Sequence, residues 1–406
     1  MGAPIYSCAG ADANNLPSSA IDSVLINALD HGSTPRKIKA AQKMLQKANA
    51  RHSIGDSSGY QILKREEKGK LMTFDPNLPM KNTAKVLNIS PQQVMEANAI
   101  HQPDIVIGLD WPIRKPDSEI KKEFEFFKKL EINVSWAFES FAWKNALVPH
   151  AQYFQPLQCY TLDHLDLFLI EIRGVLFDGV SMPVRTLKPA ELALFLVDFY
   201  RRGITRVHLL GTSSLSDIVL CVYAAWNLFE WVSLDSTTWR FAGDKESFIS
   251  PFDLSRTDLC ASVNVPSTAL NLCPCPFCSG RSFQSIRAIN PRRDKLQFLR
   301  EHNWLAIANL VNDLYANGDT IPNLEKELRF RCWNQGRVDR LIKILSVVDA
   351  LKDCDISLLQ TVLASNPTGR QQTRLAGRQT SPKKRPRQTT RQTSQTSHPA
   401  DCQVAR

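Results

Sequence analysis

Between residues 4 and 235, short runs rich in β-branched and aromatic residues alternate with longer amphipathic ones, and this alternation restricts the chain to a parallel α/β sheet. The strand-like runs are Pro4–Cys8, Ser53–Asp56, Asp104–Asp110, Gln152–Gln158, Val175–Ser181, Arg206–Gly211 and Trp231–Asp235. Helical periodicity fills the gaps at Ser90–His101, Asp117 to about Trp143, Leu162–Arg173, Pro189–Arg202 and Leu215–Phe229. The first of these opens on Ser90-Pro91, an N-cap followed by a proline at the first helical position. Strands separated by helices over roughly 240 residues suit a closed (β/α)8 barrel, of the TIM type, better than an open sheet. The pattern does not assign an eighth strand, and no internal repeat is visible.

The runs end on polar or small residues: Asp56, Asp110, Gln158, Ser181, Gly211 and Asp235. In a parallel barrel all C-terminal strand ends open on one face, where sites are built. Any one polar ending is what a strand needs to leave the sheet, but three carboxylates and an amide at one mouth suit nucleophilic and acid/base work on a polar substrate, as at a glycosidic bond.

Farther on, the stretch Leu270–Phe283 (LNLCPCPFCSGRSF) places Cys273, Cys275 and Cys278 within six residues. Three thiols this close cannot all pair with one another, and their spacing is that of metal ligands. The bland alternative is three buried or redox thiols. The other cysteines, Cys8, Cys159, Cys221, Cys260, Cys332, Cys354 and Cys402, are scattered as small buried hydrophobes are in a reducing compartment.

The formal charge of +10 is unevenly placed: from Asn366 on, nine Lys or Arg face one acid, Asp401, which leaves about +2 for residues 1–365. That Gln/Thr/Ser/Arg-rich segment, 366–406, has too few large apolar residues to offset chain entropy and is expected to be a disordered basic tail. It would serve as a phosphate-binding arm or a solubilising extension, and its PKKRPR run is similar to a nuclear import signal. No charged-then-apolar leader opens the chain. Met1-Gly2 fails as a myristoylation signal because position 6 is Tyr, and the longest apolar run, Ile218–Phe229, is too short to span a bilayer. A soluble, cytoplasmic protein with no membrane partner is expected.

The order of these elements resembles the tRNA-guanine transglycosylase superfamily. The family's DSGG(F/Y)Q is similar to DSSGYQ at Asp56–Gln61, with Ser58 in place of a glycine. Its segment leading to a guanine-reading aspartate resembles SPQQVMEANAIHQPDIVIGLD, ending on Asp110, and its FGIVQGG resembles FQPLQCY around Gln158. The Cys-x-Cys-x-x-Cys motif is matched, and EHNW at Glu301–Trp304 matches EHN, which implies His302 as a fourth ligand of one structural zinc per chain. The family's GG(L/V) loop is replaced by SMP at Ser181–Pro183, and the PTR segment after the bacterial nucleophile is missing, so the chain looks more like the DNA-modifying branch.

The resemblance implies a transglycosylase barrel over 1–365, including a zinc-binding subdomain at about 256–310, that replaces guanine in DNA by a 7-deazaguanine derivative through a covalent intermediate. Asp235 would be the nucleophile and Asp56 the general acid/base; Asp110, Gln158 and Gly211 would contact the base and Tyr60 would stack on it. A gap-free alignment from Gly211 would put Glu230 in the nucleophile's place. DNA, with tRNA as the alternative, and the 7-deazaguanine base are the implied partners, together with accessory proteins that open the duplex; self-association is left open. A non-catalytic zinc-containing partner subunit and a metal-dependent nuclease are the rival functions.

Overall fold

The computed structural model describes residues 5–10, 23–28, 34–48, 52–57, 59, 62–63, 89–114, 118–212, 214–236, 238–259, 273–332 and 334–353. All belong to the compact unit Met1–Leu359. Tyr60 and the expected tail, 366–406, lie outside the described residues.

The strands β1 (Ile5–Gly10), β2 (Ser23–Asn27), β3 (His52–Asp56), β4 (Ile105–Ile107), β5 (Gln152–Pro156), β6 (Gly179–Pro183), β7 (Arg206–Leu210) and β8 (Trp231–Asp235) pair in sequence order, all parallel. Strand β1 hydrogen-bonds on one side to β2 (Cys8 opposite Ser23) and on the other to β8 (Cys8 opposite Asp235). The α/β class and the barrel are therefore as the alternation implies. The strand missing from the sequence reading is β2.

Helices cover the outside: α1 (Pro35–Ala48), α2 (Pro91–His101), α3 (Glu119–Leu147), α4 (Leu162–Glu171), α5 (Pro189–Arg201) and α6 (Leu215–Asn227). Helix α2 starts as anticipated, with Ser90 Oγ accepting from the Gln93 amide and the Gln93 side chain accepting from the Ser90 amide. After β8 come α7 (Thr238–Asp244), the antiparallel pair β9 (Ser247–Ile249) and β10 (Arg256–Asp258), then α8 (Phe283–Arg287), α9 (Arg292–Asn317), α10 (Ile321–Arg331) and α11 (Gln335–Leu351). Two of these last helices tie back to α6: Tyr223 Oη donates to Asp349 Oδ1 at 2.8 Å, and Trp226 Nε1 donates to the Tyr315 carbonyl at 3.0 Å.

Apolar side chains fill the lower barrel. Phe154 of β5 and Trp231 of β8 meet edge to face across the lumen, ring centres 5.3 Å apart, and Ile54, Ile105 and Ile107 close around them. Each such burial contributes about 1.5–3 kcal/mol. A Cβ at Gly179 would come within 2.7 Å of the Phe154 ring, so that strand position must be glycine. Above this layer Ser181, His208 and Ser233 stand opposite one another on β6, β7 and β8. His208 Nδ1 lies 2.6 Å from Ser233 Oγ, and burial pushes the imidazole pKa down to about 3, so the ring is neutral.

Several expected strands have different limits: β1 runs on to Gly10, β5 stops at Pro156, two residues before Gln158, and β7 stops at Leu210. The run Val175–Ser181 does not begin the sixth strand at Val175, because residues 175–178 turn off α4: the Val175 amide donates to the Ile172 carbonyl at 3.0 Å. Asp178 then exchanges two bonds of 2.8 Å with the Tyr153 backbone and launches β6, which runs on to Pro183. Ser181 is thus interior to its strand, not its end. Strand β4 stops at Ile107, three residues before Asp110.

Candidate functional site

Three aspartates meet at the C-terminal end of the barrel. Asp56 closes β3 and Asp235 closes β8, while Asp110 lies on the segment that leaves β4. That segment is held from outside by α3. The Leu109 amide donates to Ser140 Oγ at 3.0 Å, the Trp111 amide donates to Asn133 Oδ1 at 2.7 Å, and Lys129 Nζ reaches the Pro112 carbonyl at 2.6 Å.

Asp110 accepts from Ser57 Oγ at 2.7 Å on Oδ1 and from Gln158 Nε2 on Oδ2. Gln158 is oriented in turn, because its Oε1 accepts the Ile113 amide at 3.0 Å. The two residues expected to contact the base are therefore a bonded pair. Burial pushes the Asp110 carboxyl up to about 7; the Ser57 and Gln158 hydrogen bonds oppose that rise and the charge of Asp56 adds to it.

Asp235 is buried, and its Oδ1 accepts the Gly211 amide at 2.6 Å while its carbonyl accepts from Thr212. Burial pushes this carboxyl up to about 6; the Gly211 bond and the Arg185 guanidinium oppose the rise, and the charge of Asp56 adds to it. Asp56 thus acts electrostatically on both other aspartates, and its own Oδ2 accepts from Asn27 Nδ2 at 3.0 Å. Gly211 has φ +73°, and a Cβ there would meet the Arg185 side chain. Gly211, expected to contact the base, has its amide bound to the Asp235 carboxylate.

Glu230 does not reach this end. It is exposed, precedes β8 and donates its amide to the Thr205 carbonyl, at the opposite end of the strand from Asp235. Five residues of strand separate the two by roughly 16 Å.

The motif DSSG keeps one glycine where the resemblance has two, and the geometry explains which one. A Cβ on Gly59 would collide with Asp110 Oδ1 and sit 3.0 Å from the Asp110 backbone oxygen. The backbone oxygen cannot retreat, since the flanking backbone is clamped by α3, so the carboxylate must move. Gly59→Ala should displace the Asp110 carboxylate and destabilise the fold by about 1–3 kcal/mol; a thermal melt checks this.

The second centre lies beyond the barrel. Sγ of Cys273, Cys275 and Cys278 and Nδ1 of His302 all fall within 4.8 Å of one another. Nδ1 is 3.7, 3.3 and 3.2 Å from the three sulfurs. A tetrahedral zinc with bonds of about 2.3 Å to sulfur and 2.0 Å to nitrogen separates S from N by about 3.5 Å, so the set fits one such ion. The other imidazole nitrogen, Nε2, lies 2.9 Å from the Ile249 carbonyl, which fixes the ring and leaves Nδ1 for a metal. Phe248 stacks on the ring at 3.8 Å.

The Asn of the EHN motif has a separate task. Asn303 Oδ1 accepts the Ile249 amide at 2.8 Å and its Nδ2 donates to the Ser247 carbonyl at 3.0 Å, so adjacent residues of α9 grip both ends of β9. These four residues could hold one metal ion such as zinc. Among the described residues no other group of three or more His, Cys, Asp or Glu side chains converges in this way; the three aspartates do not.

Sequence reading did not single out Asn27, Ser57, Arg185 or Thr212. Ser57 was inside the quoted motif; Asn27 ends the unassigned β2, and Arg185 follows β6 on a 3-10 turn (Val184–Thr186), with no local pattern to mark it.

The fold and its two centres define an α/β barrel with an acidic strand-end site and a separate Cys3His cluster. Comparison with protein-family models finds no match, and comparison with curated proteins finds none. Among the described residues, no helix is long and apolar enough to cross a membrane.

Proposed function

We propose that this chain is a base-exchange transglycosylase that replaces guanine in DNA with a 7-deazaguanine through a covalent aspartyl-glycosyl intermediate. The carrying observation is the placement of Asp56, Asp110 and Asp235 at one barrel end, with Gln158 bound to Asp110 and the Gly211 amide bound to Asp235.

Asp110 and Gln158 present an acceptor and a donor side by side, suited to the Watson–Crick edge of guanine, whose N1 and N2 hydrogens need an acceptor and whose O6 needs a donor. One Asp235 oxygen would attack C1′ as the C1′–N9 bond breaks; the bond's electron pair leaves on the base, which takes up a proton from solvent by way of the ionised Asp56 carboxylate. The incoming base then loses its N9 proton to Asp56, attacks C1′ and expels the Asp235 carboxylate. Such a site takes only an extruded nucleotide, consistent with partners that open the duplex. Zinc at Cys273, Cys275, Cys278 and His302 has all four positions filled by protein and would be structural, with no place for a reacting water.

Two carboxylates must be ionised for this chemistry, Asp235 to attack and Asp110 to accept. Their pKa values, about 6 and about 7, set the expected profile. kcat/KM should fall with decreasing pH through 7 and then more steeply below 6, where both sites take up protons. A profile flat from pH 8 to 5 contradicts the assignment.

The test of function is incubation with labelled guanine and either duplex DNA or tRNA, with and without a chelator too weak to strip structural zinc. Label entering DNA in either condition supports the reading. Label entering tRNA alone moves the chain to the tRNA branch, while divalent-ion-dependent strand cleavage without incorporation identifies a nuclease. No reaction with any nucleic acid identifies a non-catalytic subunit.

A further inference from the structure

The charge of about +2 over residues 1–365 conceals one strongly polarised element. Helix α1 (PRKIKAAQKMLQKA) carries five cations and no acid. Ala41 and Met44 are fully buried against the barrel, and Arg36, Lys39 and Lys43 stand on the opposite face, all exposed. None of the three has an acidic partner among the described residues.

On α3, α9 and α10 several cations are neutralised locally. Lys129 pairs with Glu125 on α3, Arg329 with Glu325 and Arg331 with Glu327 on α10, and Arg292 and Lys295 of α9 share Glu246.

The arrangement on α1 opposes the helix's own stability in two ways. Arg36 and Lys39, then Lys39 and Lys43, are like-charged pairs at three and four residues' spacing, each disfavouring the helix. The first turn holds Arg36 and Lys37 where the helix dipole favours acids, and the Thr34 side chain that accepts the Lys37 amide at 3.4 Å is a neutral hydroxyl. An anionic surface laid along this face would relieve both effects.

Position adds to charge. The helix follows β2, whose last residue, Asn27, touches Asp56, so in a parallel barrel α1 begins on the side of the aspartates and Arg36 is the cation of the stripe nearest to them. From Arg36 to Lys43 the stripe covers roughly 10 Å. That length equals about three base-pair rises of roughly 3.4 Å along the duplex axis, so the stripe can meet successive phosphates of one strand.

We infer that the Arg36–Lys39–Lys43 face of α1 is the docking surface for the phosphodiester backbone of duplex DNA, holding the strand beside the mouth while a nucleotide enters it. This inference rests on the base-exchange reading for its choice of polymer.

The experiment replaces Arg36, Lys39 and Lys43 by Gln in the full chain and follows binding of a labelled duplex DNA oligonucleotide by anisotropy across a salt series. Glutamine favours helix, so the melting temperature should hold or rise. The slope of log K against log salt should lessen by about 2.7, at about 0.9 per lost phosphate contact, with affinity at low salt reduced at least about tenfold. A control removing the same charge from exposed positions of α10 and α11 (Lys326, Arg340 and Lys343 to Gln) should leave the slope as in the wild type. A steep wild-type slope that survives in the α1 variant, or falls equally in the control, overturns the inference and leaves base exchange standing, as does a wild-type chain without salt-dependent binding that still exchanges labelled guanine. A wild-type chain that binds DNA but incorporates no labelled guanine overturns the function instead, whatever the slope.

Discussion

Asp235→Asn is expected to abolish base exchange, by at least about a thousandfold in kcat, while raising stability above pH 7. Asparagine keeps an oxygen for the Gly211 amide, so the carboxylate's site is preserved without its nucleophile. The stability sign follows from the raised pKa. In the unfolded chain this carboxyl ionises near its ordinary value, 3.8, but in the fold only near 6, so the native state holds its proton more tightly. The stability this contributes is fully present below about pH 4 and is lost as pH rises through 6. At pH 8 the wild type therefore carries a buried charge that Asp235→Asn lacks, a difference on the order of 2 kcal/mol that should vanish toward pH 4. Glu230→Gln, at the far end of β8, should leave exchange within about twofold. Urea melts at both pH values and initial rates check the set; a catalytically dead Glu230→Gln beside an active Asp235→Asn reverses the assignment.

The second large effect concerns the Cys3His cluster. Three thiolates and a fully buried imidazole within 4.8 Å are tolerable only around a cation, and the same helix that supplies His302 supplies Asn303 to grip β9. One zinc per chain is expected on metal analysis. Cys275→Ser should lose it, lower the melting temperature by at least about 10 °C, and release β9 from α9, seen as fast amide exchange at Ile249. Purified protein without metal, or a Cys275→Ser variant that melts like the wild type, contradicts a structural zinc.

The barrel was legible where periodicity was unambiguous. Seven strand-like runs and five helical ones each overlap an observed element, because buried parallel strands are continuous apolar runs bounded by polar residues. Strand β2 was missed for a physical reason: SVLIN sits in SSAIDSVLINALD, where apolar residues recur at spacings that also fit a helix turn. The sequence pattern starts the sixth strand early because Val175, Leu176 and Phe177 are as apolar as the strand itself, and only the Asp178–Tyr153 pairing marks the start.

In the site, the strand-end rule located Asp56 and Asp235, and the local motif located Asp110 and Gln158. The rule could not disclose that Asp110 is bound to Gln158, that the Gly211 amide serves Asp235, or that Arg185 lies over Gly211, because each contact joins segments far apart in the chain. The charge distribution was half legible: composition found the tail, but the cationic face of α1 emerges only once Ala41 and Met44 are seen to face inward.

The most direct test of the central claim is to quench the wild-type chain during turnover with a guanine-containing oligonucleotide, digest both polymers and map the glycosylated peptide by mass spectrometry. The expected result is a single sugar-linked adduct on the peptide containing Asp235, lost in Asp235→Asn. Label exchange proceeding with no covalent adduct, or an adduct on any other side chain, would contradict it.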